Sequence, residues 1–202
     1  MNNKKYQHII LILLSFALVS CAAGPSRTSN PVPVAAGFIY KGSYINVRVP
    51  NSDGWHLVES SPAGMQFARS GAEHGESFAA QVLIFPLENT KDSNEFLSLI
   101  KSGIKNDTDS ERFEIIKSNF KNIDDRNYPC VRVNYATEDK QAQTSPTRTE
   151  VLLLEAESLY CRHPVRQDTG FSIIYSHRGK VAYSNIKTEA QDFINGVQVP
   201  GQ

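Results

Sequence analysis

The segments YPCVRVNYATED (residues 128–139) and TRTEVLLLEAESLYC (residues 147–161) decide the fold, because they read as two strands joined by the polar stretch KQAQTSP. If the two strands form one β-hairpin and Cys130 lies opposite Cys161, the turn is centred between Ser145 and Pro146. That position falls inside the polar stretch, where a turn belongs. The segments therefore predict a long antiparallel hairpin whose register is set by the two cysteines.

This register also separates apolar from polar side chains. It pairs Val131 with Tyr160, Val133 with Ser158 and Tyr135 with Ala156 on one face, and Arg132 with Leu159 and Asn134 with Glu157 on the other. One face is mainly apolar and the other mainly polar, which is what a half-buried antiparallel pair requires. A slip of one residue would mix the two faces and separate the sulfur atoms.

Cys130 and Cys161 are predicted to form a structural disulfide. Two cysteines in one domain of an oxidising compartment pair more often than they stay free. Closing a loop of about 30 residues contributes roughly 3–4 kcal/mol in the chain-entropy model. A redox-active pair is the alternative, but it lacks the local C-x-x-C spacing.

The rest of the folded part alternates strand and helix patterns. Strands are predicted at 43–50, 55–60, 65–70, 77–87, 112–123 and 170–179 from apolar alternation or short apolar runs. A helix is predicted after Asp92, which with Glu95 forms a capping box. A second helix is predicted to begin at Ser184 or Asn185 and to end at Gly196.

The N-terminus predicts a lipoprotein signal peptide over residues 1–20. Lys4 and Lys5 precede the apolar run Ile9–Val19, whose eleven residues are too few for a membrane span of about 20. The sequence Leu18-Val19-Ser20-Cys21 resembles the lipobox of bacterial lipoproteins, which implies that Cys21 is acylated. The alternative is an ordinary signal peptide with a chance cysteine near its end.

The predicted organisation is an anchor, a tether and one domain. Residues 21–36 hold Cys21 and a Pro- and Ala-rich tether, and residues 37–202 form a single globular domain. The resemblance to lipoproteins, with Ala22 after the cysteine, implies the outer membrane, facing the periplasm. Two acyl chains would give stable anchoring.

Charge and motifs exclude several function classes. The whole chain has 21 basic and 21 acidic residues, and removing residues 1–20 leaves 19 basic and 21 acidic residues. A nucleic-acid surface usually needs an excess of basic residues, so none is expected. The G-x-S-x-G, H-E-x-x-H and phosphate-loop motifs do not occur. We therefore predict no catalytic residue, no metal site and no cofactor, although a dispersed Ser-His-Asp hydrolase site stays an alternative. His74 and Glu76 would supply only two metal ligands.

Two basic turns and one tryptophan are the candidate binding residues. Arg162, His163 and Arg166 form one turn, and Arg178 and Lys180 lie in the other. If the turns converge, they make one anion-attracting or partner-binding patch; the alternative is two solvated turns. Trp55 is a candidate interface anchor, with a core position as its alternative.

The stretch YINVRVPNSDGWHLVES (residues 44–60) resembles the start of PsbP-like and DcrB-like domains, and the order of elements from Ser43 to Val199 is similar to theirs. The resemblance implies an α+β fold, an α/β/α sandwich with a central antiparallel sheet covered by two helices. It also implies a non-enzymatic binding or assembly factor, since most members of that group have such roles. The cysteine pair departs from the group.

These observations predict a lipid-anchored protein of the cell envelope that binds another envelope protein or supports an assembly. Its membrane contact is the lipid on Cys21. The alternative function is the binding of a small anionic ligand or lipid, through the basic turns or a groove between sheet and helix. An enzyme is not expected.

Overall fold

A computed structural model describes residues 31–123 and 125–201 of the chain. The predicted signal peptide, Cys21 and most of the predicted tether lie outside the described residues. Within the described ranges, no helix is both long enough and apolar enough to cross a membrane.

The described chain contains eleven strands and two helices. The strands are β1 (Val32–Pro33), β2 (Ile39–Tyr40), β3 (Asn46–Arg48), β4 (His56–Ser61), β5 (Gly64–Ser70), β6 (Ser77–Pro86), β7 (Phe113–Ile123), β8 (Cys130–Ser145), β9 (Arg148–Arg162), β10 (Thr169–Gly179) and β11 (Val197–Gln198). The helices are α1 (Ser93–Asp107) and α2 (Ile186–Asn195). β1 falls within the segment predicted as tether.

Eight strands form one antiparallel sheet in the order β1-β4-β5-β6-β10-β9-β8-β7. The short strands β11, β3 and β2 form a second sheet. The β8–β9 hairpin has the predicted register, with Cys130 opposite Cys161, and the predicted disulfide joins these two residues. The observed register and disulfide confirm the hairpin prediction. The prediction was possible because two constraints, the sulfur pair and the apolar alternation, select the same register.

The first helix begins as its capping box predicts. The Asp92 carboxylate accepts hydrogen bonds from the backbone N–H groups of Asn94 and Glu95, at 2.8 and 2.9 Å. This bonding satisfies two N–H groups that the first turn leaves without partners. In α2, Asn185 occupies the N-cap position without a side-chain cap bond, and the helix ends at Gly196.

The predicted α/β/α sandwich is wrong. The chain is mostly sheet, and its two helices do not cover the eight strands. α1 packs against β7 and β8 on one face, and α2 packs against β9 and β10 on the other. A helix is about 10 Å wide and strands lie about 4.8 Å apart, so one helix covers about two strands.

The two faces of the large sheet have separate cores. On the face that we call the α2 face, Phe67, Ile173 and Tyr175 pack with α2 and the small sheet. On the opposite α1 face, Tyr160 and Ile174 pack with α1. Because side chains alternate along a strand, Ile173 and Ile174 enter different cores.

Candidate ligand-binding cleft

An open cleft of about 750 Å³ lies on the α1 face, beside the part that α1 covers. Its volume is within the range of about 300–1,000 Å³ that small-molecule sites occupy. The residues that line it from the sheet include His56, Val58, Gln66, Ala68, Ala79, Ser176 and Arg178. The tip of the β8–β9 hairpin, residues 143–146, lines it from the other side.

Small side chains form the floor of the cleft. Ala68, Ala79 and Ser176 lie opposite one another on the adjacent strands β5, β6 and β10. A row of small residues leaves room above the sheet that longer side chains would fill. Val58 and Leu154 add apolar surface to this floor.

The tip of the β8–β9 hairpin closes one end of the cleft against the β5–β6 turn. The hairpin register shifts after Asp139, which lets its last residues leave the plane of the sheet. Gly75 in the β5–β6 turn has φ 80°, and a Cβ atom there would lie 2.7 Å from Cγ2 of Thr144. Glycine is required at this position for both its backbone angle and its close approach to the hairpin.

A charge cluster at the hairpin end of the cleft holds more positive than negative charge. Asp139 is fully buried, and both its carboxylate oxygens accept hydrogen bonds of 2.8 Å from Arg112. Nη1 of Arg178 lies 3.7 Å from the same carboxylate. Two guanidinium groups therefore share one carboxylate, which leaves a formal excess of one positive charge.

Arg178 carries this excess into the cleft. Its Nε atom is buried and has no hydrogen-bond partner among the described residues. Burial lowers the pKa of Arg178 because it disfavours the charged form, and Asp139 offsets part of this effect. The rest of the Arg178 side chain is partly exposed and lines the cleft, so an anionic group there would balance part of its charge.

A second polar cluster lies behind the cleft, on the α2 face. The buried His177 ring has Nε2 at 3.0 Å from Oε1 of Glu76 and Nδ1 at 3.6 Å from Oε2 of Glu155. The Glu73 backbone N–H, together with His177, lowers the pKa of Glu76. Glu76 also lines the cleft, so this cluster ties the β5–β6 turn to β10.

The first predicted basic turn is part of the framework. The buried Arg162 guanidinium donates hydrogen bonds to the carbonyl of Glu88 and the hydroxyl of Thr90, at 2.7 and 3.1 Å. The buried His163 ring accepts the backbone N–H groups of Val165 and Arg166, both at 3.2 Å. The Arg162 bonds tie β9 to the segment before α1, and the His163 bonds hold the β9–β10 turn, so both side chains are committed to the framework.

The structure does not bring the two basic turns together. Arg162, His163 and Arg166 lie before β10, whereas Arg178 and Lys180 lie at its far end. Eleven residues of strand separate the turns by about 33 Å. The turns cannot form one patch, and of their five residues only Arg178 lines the cleft.

Arg166 and Lys180 are exposed. Arg166 donates a hydrogen bond of 3.0 Å to the Tyr44 hydroxyl, and Lys180 lies 3.9 Å from Glu150. These two residues are therefore solvated, as the alternative of two solvated turns describes.

Trp55 is a core residue and cannot anchor an interface from its present position. Its side chain is 0 % exposed, and its indole N–H donates a hydrogen bond of 3.0 Å to the Ser52 hydroxyl. Its ring meets that of Tyr175 edge to face at 5.9 Å. The short NSDG turn before it directs the ring into the α2-face core.

Across residues 31–123 and 125–201, no group of three or more His, Cys, Asp or Glu residues is placed to hold a metal ion. His74 and Glu76 both line the cleft, and Glu76 also contacts His177 behind it.

Sequence reasoning missed Arg112 and Asp139. Their contact depends on the packing of β7 against the bent end of β8, and their sequence separation of 27 carries no periodic signal. A buried aspartate within a predicted strand was the one available signal, because such an acid needs a cationic partner.

No known protein-family model matches the chain, and no curated protein matches it with significance. The resemblance to PsbP-like and DcrB-like domains therefore stays a prediction.

Proposed function

We propose that this chain is a lipid-anchored, non-enzymatic binding protein of the bacterial cell envelope. Its ligand is a small molecule with one anionic group and an apolar body, and it binds in the cleft on the α1 face. The observation that carries the proposal is the position of Arg178, which shares one carboxylate with Arg112, at the end of a cleft whose floor is largely apolar.

The anionic group is inferred from the charge cluster. Arg112 and Arg178 share the single carboxylate of Asp139, so the three groups together keep one formal positive charge. A carboxylate or phosphate group beside the Arg178 side chain would balance this charge and reduce the cost of burying the guanidinium.

The apolar body is inferred from the floor. Val58, Ala68, Ala79 and Leu154 offer aliphatic surface, and burying it would supply most of the affinity. The Gln66 side chain adds a polar group for orientation.

The envelope location rests on residues 1–21. Intact mass of the mature protein tests it: the expected mass is that of residues 21–202 with acyl chains on Cys21. A Cys21→Ser variant that still fractionates with membranes would contradict the proposed anchor.

Calorimetric titration with hexyl phosphate tests the cleft, using the lipidated full-length mature chain in phosphatidylcholine nanodiscs. We expect saturable binding that Arg178→Gln weakens by at least about tenfold, since a charge-assisted hydrogen bond contributes about 1.5–3 kcal/mol. Lys180→Gln is the matched control, because it removes one positive charge two residues away without touching the cleft, and it should bind as the parent does.

Ala79→Leu is a second test that leaves the charge cluster intact. It fills the floor and should also weaken hexyl phosphate binding. Equal binding by the parent and both cleft variants, all folded, would contradict the proposal.

A second candidate function is the predicted binding of an envelope protein. β7 forms one outer edge of the large sheet, and Ile115 and Ile116 on it are 49 % and 57 % exposed. An exposed strand edge can pair with a strand of another protein. If the edge is used, Ile116→Asp should abolish crosslinking to a specific partner in intact envelopes and should leave hexyl phosphate binding unchanged.

A further inference from the structure

The N-terminal segment joins the folded domain at the rim of the cleft. Pro31 lines the cleft itself, and the next two residues form β1, where Val32 lies opposite Leu57 and Pro33 opposite His56. The backbone N–H of Val34 then donates a hydrogen bond of 3.0 Å to the Trp55 carbonyl. The attachment point is therefore fixed to β4, the strand that also supplies His56 and Val58 to the cleft.

The chain between the proposed anchor and this rim is short. Nine residues, 22–30, separate Cys21 from Pro31. Fully extended, this length reaches about 35 Å at most. A compact domain of about 170 residues has a radius of gyration of about 15 Å, which corresponds to about 40 Å across. The proposed anchor therefore keeps the cleft rim within about 35 Å of the bilayer.

We propose that the cleft takes its ligand from this bilayer, and that the ligand is a single-chain lipid with a phosphate or carboxylate group. This inference rests on the proposed function, both for the anchor on Cys21 and for the ligand site at Arg178. It adds the class of ligand and the place from which the ligand comes.

The chemistry of the cleft fits one acyl chain. The anionic group lies beside the Arg178 side chain, and the chain runs along Ala79 and Ala68 toward Val58, near the rim that Pro31 marks. Cross-strand neighbours lie about 5 Å apart, so this row of small residues forms a shallow channel across three strands. Each methylene that enters should raise the affinity about fourfold until the channel is full.

A series of alkyl phosphates tests the length of the channel. Pentyl, hexyl, heptyl and octyl phosphate, titrated against the lipidated full-length protein, should bind about fourfold more tightly with each added methylene. The gain should be smaller in Ala79→Leu, because the larger side chain blocks the channel. Affinity independent of chain length would overturn the acyl-chain assignment.

The source of the ligand is tested in vesicles. The full lipidated chain is reconstituted in phosphatidylcholine vesicles that contain a photoreactive lysophosphatidic acid, and crosslinked residues are identified by mass spectrometry. We expect adducts on the cleft floor, at Val58, Ala79 or Leu154, and their loss in Arg178→Gln but not in Lys180→Gln.

The dependence on tether length is the most stringent part of this test. Inserting 20 Gly and Ser residues after Ser29 lengthens the connection from about 10 to about 30 residues. The effective concentration should fall about fivefold, because it decreases as roughly the −3/2 power of length. The crosslinking yield should fall with it, whereas the same 20 residues added after Gln202 should leave the yield unchanged.

The outcomes separate the two proposals. If hexyl phosphate binds in an Arg178-dependent way but the vesicle lipid is not captured, or its capture ignores tether length, the bilayer source is wrong and the proposed function stands. If neither ligand binds to the folded protein, both proposals are wrong.

Discussion

His177 and Arg178 are consecutive residues of β10 whose side chains serve two separate charge clusters on opposite faces of the sheet. His177 lies between Glu76 and Glu155 on the α2 face, and Arg178 lies beside Asp139 in the cleft. A single strand thus positions both clusters. Because Glu76 belongs to the β5–β6 turn and contacts His177, β10 also fixes the position of this turn at the border of the cleft.

Asp139→Asn should strongly destabilise the protein. The substitution leaves the guanidinium groups of Arg112 and Arg178 near each other without a carboxylate, and breaking a buried ion pair costs about 3–5 kcal/mol. Urea denaturation measures the change in the free energy of unfolding. Glu114→Gln is the control, because it removes the exposed ion pair with Lys140 and should have little effect. Equal stability of the two variants would contradict the buried cluster.

Asp107→Asn should stabilise the protein at pH 7.5 and have no such effect at pH 3. Burial raises the pKa of Asp107 from 3.8 to about 6, so the folded state holds the proton more tightly than the unfolded state. The cost of ionising the folded protein is absent below pH 3.8, grows as the pH rises to about 6, and is complete above it. The gain is on the order of 1 kcal/mol after allowance for partial exposure.

Denaturant titrations at the two pH values measure this gain. Glu111→Gln, an exposed acid four residues further along, is the control and should change stability little at either pH. A stabilisation by Asp107→Asn that is the same at both pH values would contradict the burial of this carboxyl group.

Gly75→Ala should weaken both the fold and ligand binding. The added methyl group meets Thr144 and places a non-glycine residue at φ 80°, so the turn must move away from the hairpin tip. Gly201→Ala is the matched control, because it has φ 84° but meets nothing within 4 Å. Calorimetry should show weaker hexyl phosphate binding for Gly75→Ala and unchanged binding for Gly201→Ala. An equal loss of binding in the two variants would contradict the role of the contact between Gly75 and the hairpin tip.

The double variant Cys130→Ser/Cys161→Ser should lose about 3–4 kcal/mol of stability in the chain-entropy model. The bridge joins strands that are already paired, so secondary structure should be retained in the absence of denaturant. Reduction of the parent protein should lower its denaturation midpoint to that of the variant. An unchanged midpoint would show that the bridge does not constrain the unfolded chain.

Local rules in the sequence were enough for the hairpin and for the start of α1. The cysteine spacing and the apolar alternation converged on one register of β8 and β9, and the Asp92 cap depends on three neighbouring residues. Both predictions use contacts that are near in sequence or are fixed by a covalent bond.

The layer arrangement and the cleft could not be predicted in this way. Pairing β10 with β6 joins residues about 90 positions apart, and no local pattern specifies which strands become neighbours. The cleft depends on that pairing, on the register shift after Asp139 and on the small residues of three strands that meet only in the folded sheet. Trp55 was ambiguous for the same reason, since its burial is decided by α2 and β10.

The Nε–H signal of Arg178 provides the most direct measurement of the central claim. In ¹⁵N NMR spectra of the full-length lipidated protein in nanodiscs, this signal is assigned by its loss in Arg178→Lys. We predict that it shifts on titration with hexyl phosphate and saturates at the calorimetric affinity, while the signal of the exposed Arg166 stays in place. Saturable binding of hexyl phosphate that leaves the Arg178 signal unmoved would contradict the account.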